Sequence, residues 1–319
     1  MTLRRAMGLF AALILVATTL GPAARAACRR AAPIFGINMS LYDNQDHLLT
    51  VPGTRRLFRQ WGVPLIRVPL RAILDDSTLL GAMRAVRQVG AAPMLILRGP
   101  AGDALPSVLA QDEHLMDLVH SVFGNGTAYL EFGNEPDLAG IAPADYRTAW
   151  NTVIRELRKR YPTAAYRFVG PVLSRVDGDH AAYIATFLDG ADPVPDALSW
   201  HEYVCSAHDD WEGVCVGHLA NWAKHVTNVE SRVTATIGHE LPFFISEWNV
   251  DPNYPSPLYD HAARIGGWTA KAITRLENLG PNLAGAMIYT ATDHGNFALV
   301  TGTDTVTAQG AAFRDASLE

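Results

Sequence analysis

The sequence predicts an α/β fold, a single-domain (β/α)8 TIM barrel, on three observations. Short apolar runs of β type alternate with longer helical runs. The interiors of the β-type runs are apolar almost throughout rather than alternating, as in parallel strands covered on both faces. The runs recur about every thirty to forty-five residues, the length that one strand, one helix and two loops require. A doubly wound sheet is the competing architecture. The stretch after the first run, Gly36-Ile37-Asn38-Met39-Ser40, carries neither a GxGxxG turn nor a P-loop, which argues against it.

Taken in order, the strand runs are Ile34 to Asn38, Leu65 to Val68, Pro93 to Leu97, Ala128 to Gly133, Tyr166 to Gly170, Ala197 to Trp200, Pro242 to Ser246 and Ala284 to Tyr289. Helical signals fill the gaps between them. Ser77 caps a run from Leu79 to Val89 that stops at Gly90. Pro143 opens a run through Tyr146, Trp150, Val153, Ile154 and Leu157 that ends at Tyr161-Pro162. A third runs from about Leu258 to Leu279, with Gly280-Pro281 as its stop.

Residues 1–26 are expected to be a signal peptide, leaving 27–319 as a single barrel domain. Arg4 and Arg5 precede an apolar run from Met7 to Leu20, and Ala24-Arg25-Ala26 offers a small-x-small cleavage pattern. Two threonines and Gly21-Pro22 make that run short for a membrane span. The expected location is therefore secreted, periplasmic or in the cell envelope, with no membrane attachment after cleavage. Arg25 stands where a lipobox carries an aliphatic residue, which argues against lipidation at Cys28. Losing three arginines takes the formal charge from −6 to −9, and a chain of that sign with no basic stripe is not built for nucleic acid. About half of the residues are apolar, enough for a full core. Cys205 and Cys215 bracket a polar stretch and are expected to pair after export. A metal site there would need His201, His208 or His218 as further ligands, and no CxxC or HExxH spacing supports one. No cofactor is implied.

On a barrel, the polar residues at strand ends gather at the carboxyl-terminal face, where such folds keep their chemistry. Asn38 ends the first run and Arg67 lies in the second. Asn134 and Glu135 follow the fourth, His201 and Tyr203 the sixth, Glu247 the seventh, and Tyr289 with Asp293 the eighth. Each has a bland account taken singly: an arginine paired with a structural acid, a satisfied half-buried imidazole, a glutamate in the first turn of a helix. Together they place two carboxylates at the ends of two distant apolar strands. Paired carboxylates facing one bond are the machinery of glycoside hydrolysis.

The set resembles clan A of the retaining glycoside hydrolases, whose barrels carry an acid/base Glu after an Asn at the fourth strand and a nucleophile Glu at the seventh. Phe132-Gly133-Asn134-Glu135-Pro136-Asp137 is similar to the first signature, and Ile245-Ser246-Glu247-Trp248-Asn249 to the second. His201-Glu202-Tyr203 is similar to the His-x-Tyr that the clan places after its sixth strand. Within the clan, Ser-Glu-Trp and the stretch from Tyr289-Thr290-Ala291-Thr292-Asp293 to Phe297-Ala298-Leu299 look most like family 39, the β-xylosidase and α-iduronidase type. Tyr289 stands where the clan usually has a Trp that floors the sugar subsite.

In that chemistry Glu135 protonates the leaving oxygen and then, as base, activates water, while Glu247 attacks the anomeric carbon. Arg67 beside Glu247 would keep it ionised, Asn134 suits a sugar 2-hydroxyl, Tyr203 would aim Glu247, and His201 would bind Glu135 or a sugar hydroxyl. Asn38, Arg67, Asn134, His201, Tyr203, Trp248 and Tyr289 are the expected substrate-binding residues. Trp200, Trp211 and Tyr254 are further stacking candidates, whereas Trp61, Trp150, Trp222 and Trp268 fall in helices and read as core. The expected activity is retaining hydrolysis of O-glycosidic bonds, β in configuration, in an oligo- or polysaccharide, with the carboxyl groups about 5–5.5 Å apart. A transglycosidase and a catalytically silent carbohydrate-binding barrel are the alternatives.

Overall fold

A computed structural model of the protein describes residues 34–292, 297–302 and 304–318. The expected signal segment, Cys28 and Asp293 lie outside the described residues. Eight strands close into a barrel in chain order, and all neighbours are parallel. They are β1 (Ile34–Asn38), β2 (Leu65–Pro69), β3 (Ala92–Leu97), β4 (Ala128–Phe132), β5 (Tyr166–Leu173), β6 (Ala197–Tyr203), β7 (Phe243–Asn249) and β8 (Leu283–Ile288). The surrounding helices are α1 (His47–Thr50), α2 (Pro52–Trp61), α3 (Asp76–Val89), α4 (Leu105–Phe123), α5 (Pro143–Arg160), α6 (Ala181–Leu188), α7 (Asn221–Ile237), α8 (Ala262–Glu277) and α9 (Ala308–Ser317). This is the (β/α)8 barrel expected from the sequence. Among the described residues no helix is long and apolar enough to cross a membrane.

Local chemistry accounts for the helix ends. The cap of α3 is Asp75, whose carboxylate accepts from the Thr78 amide at 2.8 Å, and Ser77 lies inside the first turn instead of capping it. Helix α5 begins at Pro143, whose missing N–H costs nothing at that position. Helix α8 starts at Ala262, later than Leu258, because Pro257–Asp260 forms a separate 3-10 turn.

The core has two layers. Leu65, Met94, Val169, Phe244 and Met287 fill the lower barrel interior, and a larger cluster lies between the strands and the helices. Strand parity distributes the residues, since successive side chains point to opposite faces. In β2, Leu65 and Arg67 face inward while Ile66 and Val68 join the outer cluster. In β6, Ala197 faces inward and Leu198 and Trp200 outward, so His201 and Tyr203 are delivered to the mouth.

Strand β7 breaks this parity. Ile245 is opposite Trp200 and Glu247 is opposite His201, so β7 holds one more residue than β6 between the same two rungs. The β8 side agrees: Ile245 pairs with Ala286 and Trp248 with Ile288. The extra residue is Ser246, a β-bulge. Because of it, both Phe244 and Glu247 point inward although three positions apart, and Trp248 points out into the helix layer. Strands β6 and β7 also run on past the expected ends at Trp200 and Ser246, so Glu247 sits within a strand.

Candidate active site

Arg67 organises the carboxyl-terminal mouth. Its side chain is buried, with Nε donating to Glu131 Oε2 at 2.5 Å and Nη1 donating to Glu247 Oε1 at 2.6 Å and Asn38 Oδ1 at 3.1 Å. Its Nη2 donates to Asn134 Oδ1 at 2.7 Å and lies 3.5 Å from His201 Nε2. One planar guanidinium from β2 thus joins groups from β1, β4, β6 and β7.

The two predicted catalytic carboxylates meet the same imidazole. His201 Nδ1 is 2.9 Å from Glu135 Oε1, and its Nε2 is 3.7 Å from Glu247 Oε1. Tyr203 donates its hydroxyl to Glu247 Oε2 at 2.8 Å. Burial disfavours charge on Glu247, but His201, Arg67 and the Tyr203 hydrogen bond outweigh it and hold the carboxyl below its ordinary value. Burial also works against a charged His201, yet Glu247 and the bond to Glu135 prevail over that and over Arg67, so the imidazole is raised. Burial, helped by the neighbouring Glu247, pushes the Tyr203 phenol well up and keeps it a donor.

Glu135 is held by its backbone. It has φ +48, uncommon for a residue with a side chain, and its amide donates to the Val172 carbonyl of β5 at 2.7 Å. Two residues on, Asp137 accepts from the Ser174 amide at 3.0 Å and its hydroxyl at 2.5 Å. On the other flank, the chain at Gly99 lies against Gly133 so closely that a Cβ on Gly99 would come within 2.5 Å of the Gly133 backbone. Asp112 of α4 braces that contact by accepting from the Arg98 amide at 2.6 Å and the Gly99 amide at 3.3 Å.

A cavity of about 460 Å³ opens above Glu247, with Arg67, Asn134, Glu135, Tyr203 and Tyr289 in its wall. Not every expected substrate contact belongs there. Trp248 is fully buried and packs against Trp222, Trp268 and Phe313, because strand parity sends it opposite to Glu247. Trp200 is likewise buried, stacked on Phe243. Asn38 reaches the cavity wall, but its amide donates to the Ser246, Met287 and Ile288 carbonyls at 2.9, 3.2 and 3.3 Å, so it is a strut between β1, β7 and β8. Trp211 lies in the loop after β6 with the Arg264 guanidinium over its ring, and Tyr254 stacks on Phe297. Trp150, Trp222 and Trp268 are core, and Trp61 is half-buried.

Two contributors escaped sequence reasoning. Glu131 lies in β4, and an acid in an apolar interior was the available signal. Tyr42 joins its hydroxyl to that of Tyr289 at 2.8 Å and carries the Arg71 guanidinium over its ring at 4.5 Å. Nothing in the sequence around it marks it.

Comparison with solved structures identifies the same barrel elsewhere. The chain is similar to a monomeric β-xylosidase from Caulobacter crescentus CB15, at 15% identity and a TM-score of 0.67 over 90% of this chain and 69% of that one. A family 51 α-L-arabinofuranosidase from Bifidobacterium longum matches at 14% identity and a TM-score of 0.68, covering 91% and 73% of the two chains. A family 128 endo-β-1,3-glucanase from Amycolatopsis mediterranei, solved with laminaritriose, matches at 17% identity and a TM-score of 0.57 over 88% of this chain and 98% of that one. No protein-family model matches the sequence, and no curated protein matches it by sequence. At these identities the likeness establishes the fold.

Proposed function

We propose that the chain is a retaining glycosidase, exported from the cell, that hydrolyses β-glycosidic bonds in an oligo- or polysaccharide. One observation carries the reading: carboxylates from the ends of β4 and β7 converge on a single buried imidazole at the mouth of a cavity. The solved xylosidase and glucanase with the same barrel support the substrate class.

Glu247, kept ionised by Arg67 and Tyr203, attacks the anomeric carbon as the bond to the leaving oxygen breaks, and Glu135 gives that oxygen its proton. The product of this half is a glycosyl ester on Glu247 and a neutral alcohol. Glu135 then takes a proton from water, the hydroxide oxygen bonds to the anomeric carbon, and the ester breaks to free Glu247. Asn134 spends its oxygen on Arg67, which turns its amide hydrogens toward a sugar 2-hydroxyl. Tyr289, braced by Tyr42, offers its ring to the sugar face.

Screening aryl glycosides and plant, fungal and bacterial polysaccharides identifies the sugar, and early NMR of the product then tests the mechanism. The first anomer released should keep the substrate's configuration, and a 2-fluoro glycoside should label Glu247. Initial release of the opposite anomer would sink the retaining mechanism. Failure to turn over any member of the panel would sink the glycosidase.

A further inference from the structure

A second cavity, of about 490 Å³, adjoins the first. The two share Glu135, Tyr203 and Pro252 in their walls, but Glu247, Arg67 and Asn134 line only the first. Glu135 therefore stands where the two chambers meet, and Glu247 with Arg67 and Asn134 faces only one of them. In a displacement at an anomeric carbon, the sugar under attack must lie with the nucleophile, and the departing oxygen must lie beyond the acid.

The far wall of this second chamber is polar. Glu202, of which 4% is exposed, faces away from the barrel mouth because its neighbours His201 and Tyr203 face into it. Its carboxylate accepts from Trp200 Nε1 at 2.9 Å and meets His225 Nδ1 at 3.0 and 3.1 Å. A buried carboxylate is costly unless held in this way, and the partner is an imidazole from the first turns of α7. With Nδ1 committed to Glu202, Nε2 is the atom that His225 offers outward, from a side chain that is 21% exposed. Asn221 opens α7 beside it, and Leu138 from the β4 loop, 68% exposed, puts an apolar surface across the chamber. Such a combination suits a saccharide, whose hydroxyls need donors and acceptors and whose ring face needs an apolar contact.

We infer that the second chamber seats the leaving portion of the substrate, with the Glu202–His225 pair as its hydrogen-bonding wall, so that the bond cleaved lies inside a saccharide chain filling both chambers. This rests on the glycosidase reading and adds the geometry of the leaving side, which neither carboxylate alone defines.

Glycosyl fluorides test it, because their leaving group is a single atom that needs no second chamber. Laminari- and xylo-oligosaccharides would be compared with glucosyl and xylosyl fluoride, using the full chain. His225→Ala should lower kcat/KM on the oligosaccharide about tenfold or more and change the fluoride by less than about twofold. Asn221→Trp, which fills the chamber from the start of α7 and leaves Glu202 paired, should give the same split. A merely structural His225 would lower both substrates together, and that result, or oligosaccharide rates left unchanged in both variants, overturns the inference while the glycosidase stands. If the unaltered chain cleaves fluorides and oligosaccharides only by removing terminal units with a rate independent of chain length, the inference also falls. If neither class is turned over and no member of the glycoside panel is cleaved, both readings fall.

Discussion

Arg67 touches Glu131, Asn38, Glu247, Asn134 and His201, and these contacts divide between folding and chemistry. Glu131 is fully buried and answers the guanidinium's charge from the structural side, so Glu131→Ala should destabilise the protein by about 3 kcal/mol, read by urea denaturation. Glu247 answers from the open side and receives stabilisation of its ionised form in return. Its carboxyl lies below the ordinary value, so the proposed nucleophile stays charged as pH falls until that lowered value is reached. Replacing Arg67 by Gln removes a positive charge and raises the Glu247 pKa. The acid limb of the kcat/KM profile should therefore move to higher pH. An unmoved acid limb would separate Arg67 from the ionisation of Glu247. The two carboxylates also differ in what azide can do for their loss. Glu135→Ala should keep most activity on good leaving groups and yield a β-glycosyl azide, whereas Glu247→Ala loses the covalent route. The reverse pattern would exchange the two roles.

The loops that deliver these residues are held by elements behind them. Asp112 of α4 braces the Gly99 contact against Gly133, and burial lifts its carboxyl to about 7 despite the two backbone amides. The unfolded value is about 3.9, so the raised group favours the folded state fully below that pH and loses its contribution, on the order of 4 kcal/mol, as pH rises through about 7. Asp112→Asn should abolish that slope, at a constant cost of about 1 kcal/mol because one amide then faces a donor. Melting temperatures of both proteins at about pH 5 and about pH 8 check this against the reference range. Cys205 and Cys215 are bonded as their spacing and the expected export implied, and the Cys215 carbonyl accepts from Trp268 Nε1 at 2.7 Å. The bridge closes the loop after β6 on itself, and the Trp268 hydrogen bond ties that loop to α8. Replacing both cysteines with serine should cost about 2–3 kcal/mol, measured by thermal unfolding. Element positions were legible because apolar runs, prolines and glycines are local signals. The far ends of β6 and β7 were not, since His201, Tyr203 and Asn249 are polar and are held in strand by neighbours distant in sequence.

Across the whole molecule, the order of eight strands could be read from spacing, and closure into a barrel followed. Convergence of Asn38, Arg67, Asn134, Glu135, His201, Tyr203, Glu247 and Tyr289 on one mouth follows from the same order, because parallel strands bring all their carboxyl ends to one side. Which side chains enter the mouth is a finer matter, governed by parity. Adjacent residues of a strand face opposite ways, so Glu247 and Trp248 cannot both line one cleft, and the indole joins Trp222 and Trp268 instead. Apolar runs do not reveal a bulge, so the sequence left the direction of Glu247 undetermined. Ser246 decides it. The inward face of Glu247 is thus specified by a count of residues as well as by a residue type. Regular pairing of β7 with Ser246 kept in the ladder would put Glu247 at an odd spacing from Phe244 and exchange the faces of Glu247 and its successors. A carboxylate would then be driven among the tryptophans and an indole would stand in the cavity, with the composition of the chain unchanged.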